Sequence, residues 1–168
     1  LGPYTLLANI TDDGGSAYPK KVQWCDTSLP ETWTGGNSGS NVLVAGEDIT
    51  GIAQFGNYIT VHKKDLLYLG YLVNTSSIIR FDPKYTPGTI SNPTIKMLPN
   101  GFLAYLAVDG IRFFNGSTSK LVDSPINEDI REQLHHSYAY TCWALVNQEY
   151  DEYWIGLPLG TETVPQTI

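Results

Sequence analysis

The adjacent histidines His135 and His136 are the first residues to test for chemistry, because imidazole nitrogens bind transition metals and move protons near neutral pH. Neighbouring side chains at a helix end diverge, however, and a metal needs three or four converging ligands; Glu132 is the helical neighbour placed to add one. Two imidazoles near a helix C-terminus also suit the negative end of its dipole. The cluster Glu149, Asp151 and Glu152 supplies the paired carboxylates that glycoside hydrolysis requires. It falls between two strand-like runs and reads as a solvated hairpin turn, where carboxyl groups keep ordinary acidity instead of dividing into acid and base. The glycine-rich stretch 34–40 lacks the Lys-Ser/Thr ending and the following helix of a phosphate cradle, and reads as a flexible loop. There is no Gly-x-Ser-x-Gly elbow, Cys-x-x-Cys pair or Walker sequence. The sequence therefore assigns no catalytic residue, metal ligand or cofactor, and the expectation is a protein that is not an enzyme.

The elements that would position any site are strands. Charged residues make up only 16 % of the 168, against 42 % hydrophobic and 12 % aromatic, which is enough apolar surface to fold and too little Ala, Glu and Lys for a helical protein. Ile49–Phe55 leads through Gly56-Asn57 into Tyr58–His62, and Asn and Gly supply the positive φ of a tight hairpin. Leu66–Val73, the turn Asn74-Thr75-Ser76 and the run Ser77–Phe81 complete four consecutive strands. A second set follows at Thr94–Leu98, Phe102–Ala107, Ile111–Phe114 and Lys120–Val122. Displaced by 44 positions, the two sets match Tyr58 with Phe102, Ile59 with Leu103, Val61 with Tyr105, Asp65 with Asp109, Leu67 with Ile111 and Leu69 with Phe113. Four strands per 40–50 residues is the signature of propeller blades, whose sheets bury their faces by stacking on neighbours.

The fold expected is thus all-β: antiparallel four-stranded blade-like sheets forming a partial β-propeller, with one short helix near 127–135. In that helix Asn127 caps, Glu128 and Asp129 complement the dipole, and Ile126, Ile130 and Leu134 recur at helical spacing. A third hairpin is predicted at Tyr138–Val146 and Tyr153–Leu157, and N-terminal strands at Tyr4–Ile10, Lys21–Cys25 and Asn41–Val44. Residues 1–168 read as a single β-rich domain or a fragment of a larger propeller, divided into a partial blade 1–48, a blade 49–92, a blade plus helix 93–136 and a partial blade 137–168. The start at Leu1 and the end at Ile168 suggest a piece of something longer.

The net charge of −7 argues against tight binding of nucleic acid backbones, which draws on Lys and Arg. No apolar run approaches the roughly 18 residues of a membrane span, so no membrane insertion is expected. Cys25 and Cys142 read as buried thiols or, less in keeping with so few cysteines, as a disulfide. Asn9, Asn74 and Asn115 begin glycosylation-type triplets, read as exposed turns, and Trp33, Tyr85 and Tyr150 are aromatics able to stack on sugars.

The segment Asp12–Trp33, with Trp24-Cys25-Asp26 running into Pro30-Glu31-Thr32-Trp33, resembles a pattern of bacteriophage tail proteins. Ile49–Phe81 with its Lys63-Lys64 pair, the Ser124-Pro125-Ile126 helix start and the Tyr153-Trp154 hairpin continue it; Cys25 departs from it, standing where the pattern has Ser. The resemblance implies the tail tubular, or nozzle, protein of short-tailed phages: a structural virion protein containing a β-propeller. It would form a ring with copies of itself, contact portal- or adaptor-type tail proteins, and pass DNA without specific binding. Such a protein is located in the virion tail and assembled in the bacterial cytoplasm. Asp26, Pro30, Glu31 and Trp33 are the candidate contact loop, unless Trp33 anchors that loop on its sheet. The alternative function is a carbohydrate-binding or carbohydrate-cleaving β-propeller, although the sialidase-type Ser-x-Asp-x-Gly-x-x-Trp turn is absent.

Overall fold

The structure, a computed structural model, describes residues 4–73 and 79–167. It is mostly β, with antiparallel sheets and one short α-helix, and its sheets do not close into a ring. The chain forms two compact units, Leu1–Tyr85 and Thr86–Ile168.

The first unit holds two sheets. One is β1 (Leu6–Thr11), β2 (Ala17–Trp24) and β3 (Gly39–Val42) in that order; the other is β4 (Ile49–Phe55), β5 (Tyr58–Lys63), β6 (Leu67–Leu72) and β7 (Ile79–Lys84), also in chain order. The expected turn Asn74-Thr75-Ser76, with Ser77-Ile78, lies outside the described residues. Alternation along each strand puts one set of apolar side chains between the sheets. Val22, Trp24 and Leu43 from the first form one core cluster with Ile59, Val61, Tyr68 and Phe81 from the second.

Two aromatic residues make that stacking close. Trp24 pairs across strands with Gly39, and a Cβ at Gly39 would stand 2.6 Å from the indole. Phe81 pairs with Gly70, where a Cβ would stand 2.6 Å from Ile59 and 2.7 Å from the Phe81 ring. The Trp24 and Phe81 rings then meet with centroids 6.4 Å apart, a tilted aromatic contact. Trp24 Nε1 is buried there without a hydrogen-bond partner.

Lys63, fully buried, secures the crossing between the sheets. Its ammonium donates to the carbonyls of Leu43 and Ala45, the latter at 2.7 Å, and sits 5.7 Å from the Tyr68 ring centre. Burial and the charge of Lys20 push its pKa below the usual lysine range, against the pull of Asp65 and Asp48. Lys63 and Lys64 are therefore no basic patch: one is a structural bolt and the other is exposed.

The second unit holds β8 (Lys96–Met97), β9 (Leu103–Ala107), β10 (Gly110–Phe114) and β11 (Ser119–Leu121) as one sheet, and β12 (Trp143–Asn147), β13 (Glu152–Leu157) and β14 (Gln166–Thr167) as another. The 44-residue repeat is visible in register. Ile59 faces Gly70 and His62 faces Leu67 in β5–β6, while Leu103 faces Phe114 in β9–β10, so this hairpin pairing recurs without slippage. The repeat stops there: the turn from β10 to β11 is shorter than the crossing from β6 to β7, and β8 keeps only two paired residues.

The helix α1 (Ile126–Gln133) packs Ile130 and Leu134 into a cluster with Leu106, Ile111, Cys142, Ala144, Ile155 and Leu157. Asn127 is not its cap. Pro125 holds that position, and Asn127 is buried inside the first turn, accepting from Ile111 N at 2.8 Å and donating to the Val122 carbonyl. Its amide satisfies a strand end that would otherwise be an unpaired buried backbone group. The strand expected from Tyr138 starts only at Trp143; His136–Thr141 is a 3-10 helix, closed by Thr141 Oγ1 donating to the Tyr138 carbonyl at 2.7 Å. Its two flanks are held from a distance, by His135 N on Pro158 O and by Ser91 Oγ on Cys142 O, both 2.9 Å. Thr89, Ser91 and Thr94 form a buried polar seam beside this helix, every hydroxyl bonded, and Tyr153 closes it with a 2.6 Å bond to Thr94 O.

Two outcomes follow. Gly70→Ala is expected to destabilise the chain by about 1–3 kcal/mol in urea unfolding, because the methyl group drives into the locked Ile59 and Phe81, whereas Gly156→Ala costs less because its neighbour Trp143 is half-exposed. His62, buried beside Thr60 Oγ1 at 3.0 Å, is held neutral by burial with its pKa lowered to about 3. The unfolded chain takes up that proton first, so His62 contributes full stability above pH 6.5 and loses up to about 1.4 kcal/mol per pH unit between 6.5 and 3. Urea midpoints measured across that window are expected to fall more steeply for the natural chain than for His62→Gln.

Candidate functional site

The Asp26 carboxylate is the hub of the candidate contact loop. Asp26 ends the strand run after Trp24-Cys25 and is buried, with Oδ1 accepting from Ser28 N at 2.8 Å and Oδ2 from Asn37 N at 2.7 Å. Those bonds, the Ser28 amide first, hold its carboxyl below the usual carboxylate range. Its own N–H donates to Thr32 O at 2.8 Å, and Thr32 N closes a turn on Leu29 O. Gly36, at φ +58°, passes so close that any Cβ would overlap the carboxylate. The glycine-rich stretch is thus folded around an anion instead of being a free loop; Ser38 adds two bonds to the Gly35 carbonyl.

The four predicted residues divide by position. Asp26 faces inward and organises, while Pro30 and Glu31 are exposed at the tip beside an exposed Leu29. Trp33 is half-buried, and its carbonyl is fixed by Gln23 Nε2 at 3.0 Å. The anchoring and the contact roles therefore fall on different residues of one loop: Trp33 carries features of both, and the tip presents Leu29, Pro30 and Glu31 outward.

The other sequence candidates stand apart from this loop. His135 packs edge-on against Tyr138, with ring centroids 4.7 Å apart, ahead of the 3-10 helix. Among the described residues no three His, Cys, Asp or Glu side chains converge as a metal site. Glu149, Asp151 and Glu152 form the β12–β13 turn as expected; Asp151 takes φ +55°, and Glu152 accepts from Trp154 Nε1 at 2.9 Å. Asn115 also sits in a turn, its Oδ1 taking the Ser117 and Thr118 amides, but Asn9 lies within β1 at an irregularity, at φ +53°, and donates to Ile49 O. Cys25 and Cys142 are both free and buried; burial pushes the Cys142 thiol up to about 11. Tyr85 and Tyr150 are strongly exposed.

Sequence reading missed one cavity. A groove of about 380 Å³ in the second unit is walled by Phe102, Phe113, Leu121 and Val122, with Asn115, Lys120 and Asp123 among its polar lining. Its residues span the turn before β9 and the β10–β11 hairpin, and the signal available was the aromatic pair flanking Asn115-Gly116. Comparison with protein-family models and with curated proteins finds no match.

Removing the hub carboxylate tests the loop. Asp26→Ala is expected to speed limited proteolysis within 27–38 several-fold while leaving cleavage elsewhere unchanged. Because the Asp26 pKa is lowered, the protection stands at pH values above 3.8 and fades only as the pH falls through the depressed value.

Proposed function

We propose that this chain is a structural, self-assembling β-repeat protein of a phage virion, of the tail nozzle type, that lines a path for DNA without gripping it. The observation that carries this reading is the recurrence of the β5–β6 hairpin at β9–β10 with its register kept over 44 residues. Sheets built on one template and packed through their faces are what a propeller blade requires, and the propeller is the architecture that the Asp12–Trp33 and Ile49–Phe81 resemblance calls for. The net charge of −7 fits a surface that repels phosphate. Portal- or adaptor-type tail proteins and further copies of the chain are its partners in this reading, in the virion tail.

A carbohydrate-binding role has one observation in its favour, the groove holding Phe102 and Phe113 beside Asn115, Lys120 and Asp123. A glycan array separates the two readings.

The nozzle reading predicts that the purified chain passes through immobilised double-stranded DNA at low salt and that its gene lies among virion genes. Tight, salt-sensitive retention, or a gene neighbourhood with no portal or capsid gene, would sink it.

A further inference from the structure

We infer that the outward faces of the first and last sheets are the two halves of a head-to-tail interface between copies of this chain. The inference rests on the self-assembling reading above and assigns the surfaces that perform it. In the last sheet, Ala144, Ile155 and Leu157 face the core of their unit. The opposite face carries the cross-strand pairs Trp143–Gly156 and Leu145–Trp154, with Asn147–Glu152 at its edge. Leu145 and Trp154 are 40 % and 41 % exposed.

This face repeats the device that joins sheets inside the first unit. The Trp143 indole lies against Gly156 just as Trp24 lies against Gly39. The Trp24–Gly39 pair is covered by a second ring-and-glycine pair, Phe81–Gly70, from the facing sheet. An aromatic surface of the same construction stands open on β12–β13, and what fits it is another antiparallel sheet.

The first sheet offers one. The face of β1–β3 turned away from its core carries Leu7, 45 % exposed, and Val42, 53 % exposed, with Lys21 paired directly to Val42 and Gln23 to Leu7. Its charge is positive at Lys21, whereas the last sheet's face is negative at Glu152 with Glu149 and Asp151 in the adjoining turn. Two copies thus offer each other apolar surfaces of opposite sign, which favours unlike faces meeting over like faces. A contact between unlike faces is heterologous, and it propagates into a ring or a filament.

Sedimentation velocity of the 168-residue chain over rising concentration tests this. The natural chain is expected to self-associate, and Leu7→Glu or Trp154→Glu to weaken association at least about tenfold by placing an unpaired carboxylate in the contact. Each variant keeps one good face, so an equimolar mixture of the two is expected to form a 1:1 dimer that grows no further. Should either variant lose the melting transition of the natural chain, Lys21→Glu and Glu152→Lys replace them: each alone weakens association, and the chain carrying both recovers it. Assembly that ignores all these changes overturns the assigned faces and leaves self-assembly standing. Single variants that stay monomeric when mixed overturn the head-to-tail pairing, and a natural chain that remains monomeric overturns both the pairing and the reading beneath it.

Discussion

Two β-sheets can stack only as closely as the residues between their strands allow, and in the first unit that distance is set by aromatic rings resting on glycines. Trp24 on Gly39 and Phe81 on Gly70 bring two large side chains into contact without prying the sheets apart. Burying an aromatic side chain of about 150–250 Å² is worth roughly 4–6 kcal/mol at about 25 cal/mol per Å². Leaving one indole N–H unpaired costs about 1–3 kcal/mol, so packing wins and the orphaned Trp24 Nε1 is tolerated. The other core positions, Val22, Ile59 and Val61, fill the space around that joint.

The second unit solves the same covering problem with a helix and a polar seam. α1 supplies Ile130 and Leu134 to the apolar cluster, while Thr89, Ser91 and Thr94 carry the backbone between sheets through the interior with each hydroxyl bonded. A buried hydroxyl with its partners in place costs little and fixes geometry; the same group unpaired would be a liability. Asn127 performs a similar service at the end of β10, which is why a residue that resembles a helix cap is spent on a strand instead.

Legibility in the sequence followed locality. The hairpin at Gly56-Asn57 and the strands around it could be read because alternation and turn chemistry act within a few residues, and the 44-residue displacement emerged from the same patterns. Tyr138–Cys142 could not, since its aromatic alternation imitates a strand while bonds to Ser91 and Pro158, far along the chain, set its ends. The contact loop was located correctly as a loop, yet the inward role of Asp26 depends on Asn37, eleven residues later, and nothing local announces that bond. The groove at Phe102 and Phe113 was missed because both residues also satisfy a strand pattern.

The Lys63 bolt has an evolutionary corollary. Its ammonium is received by main-chain oxygens of Leu43 and Ala45, a feature that every amino acid possesses, and not by any particular side chain. Selection on the bolt therefore acts on one lysine and on the path of the crossing strand, leaving the identities along that path free to drift. Distant descendants of this chain would retain a cation at the end of β5 while the crossing itself becomes unrecognisable by alignment.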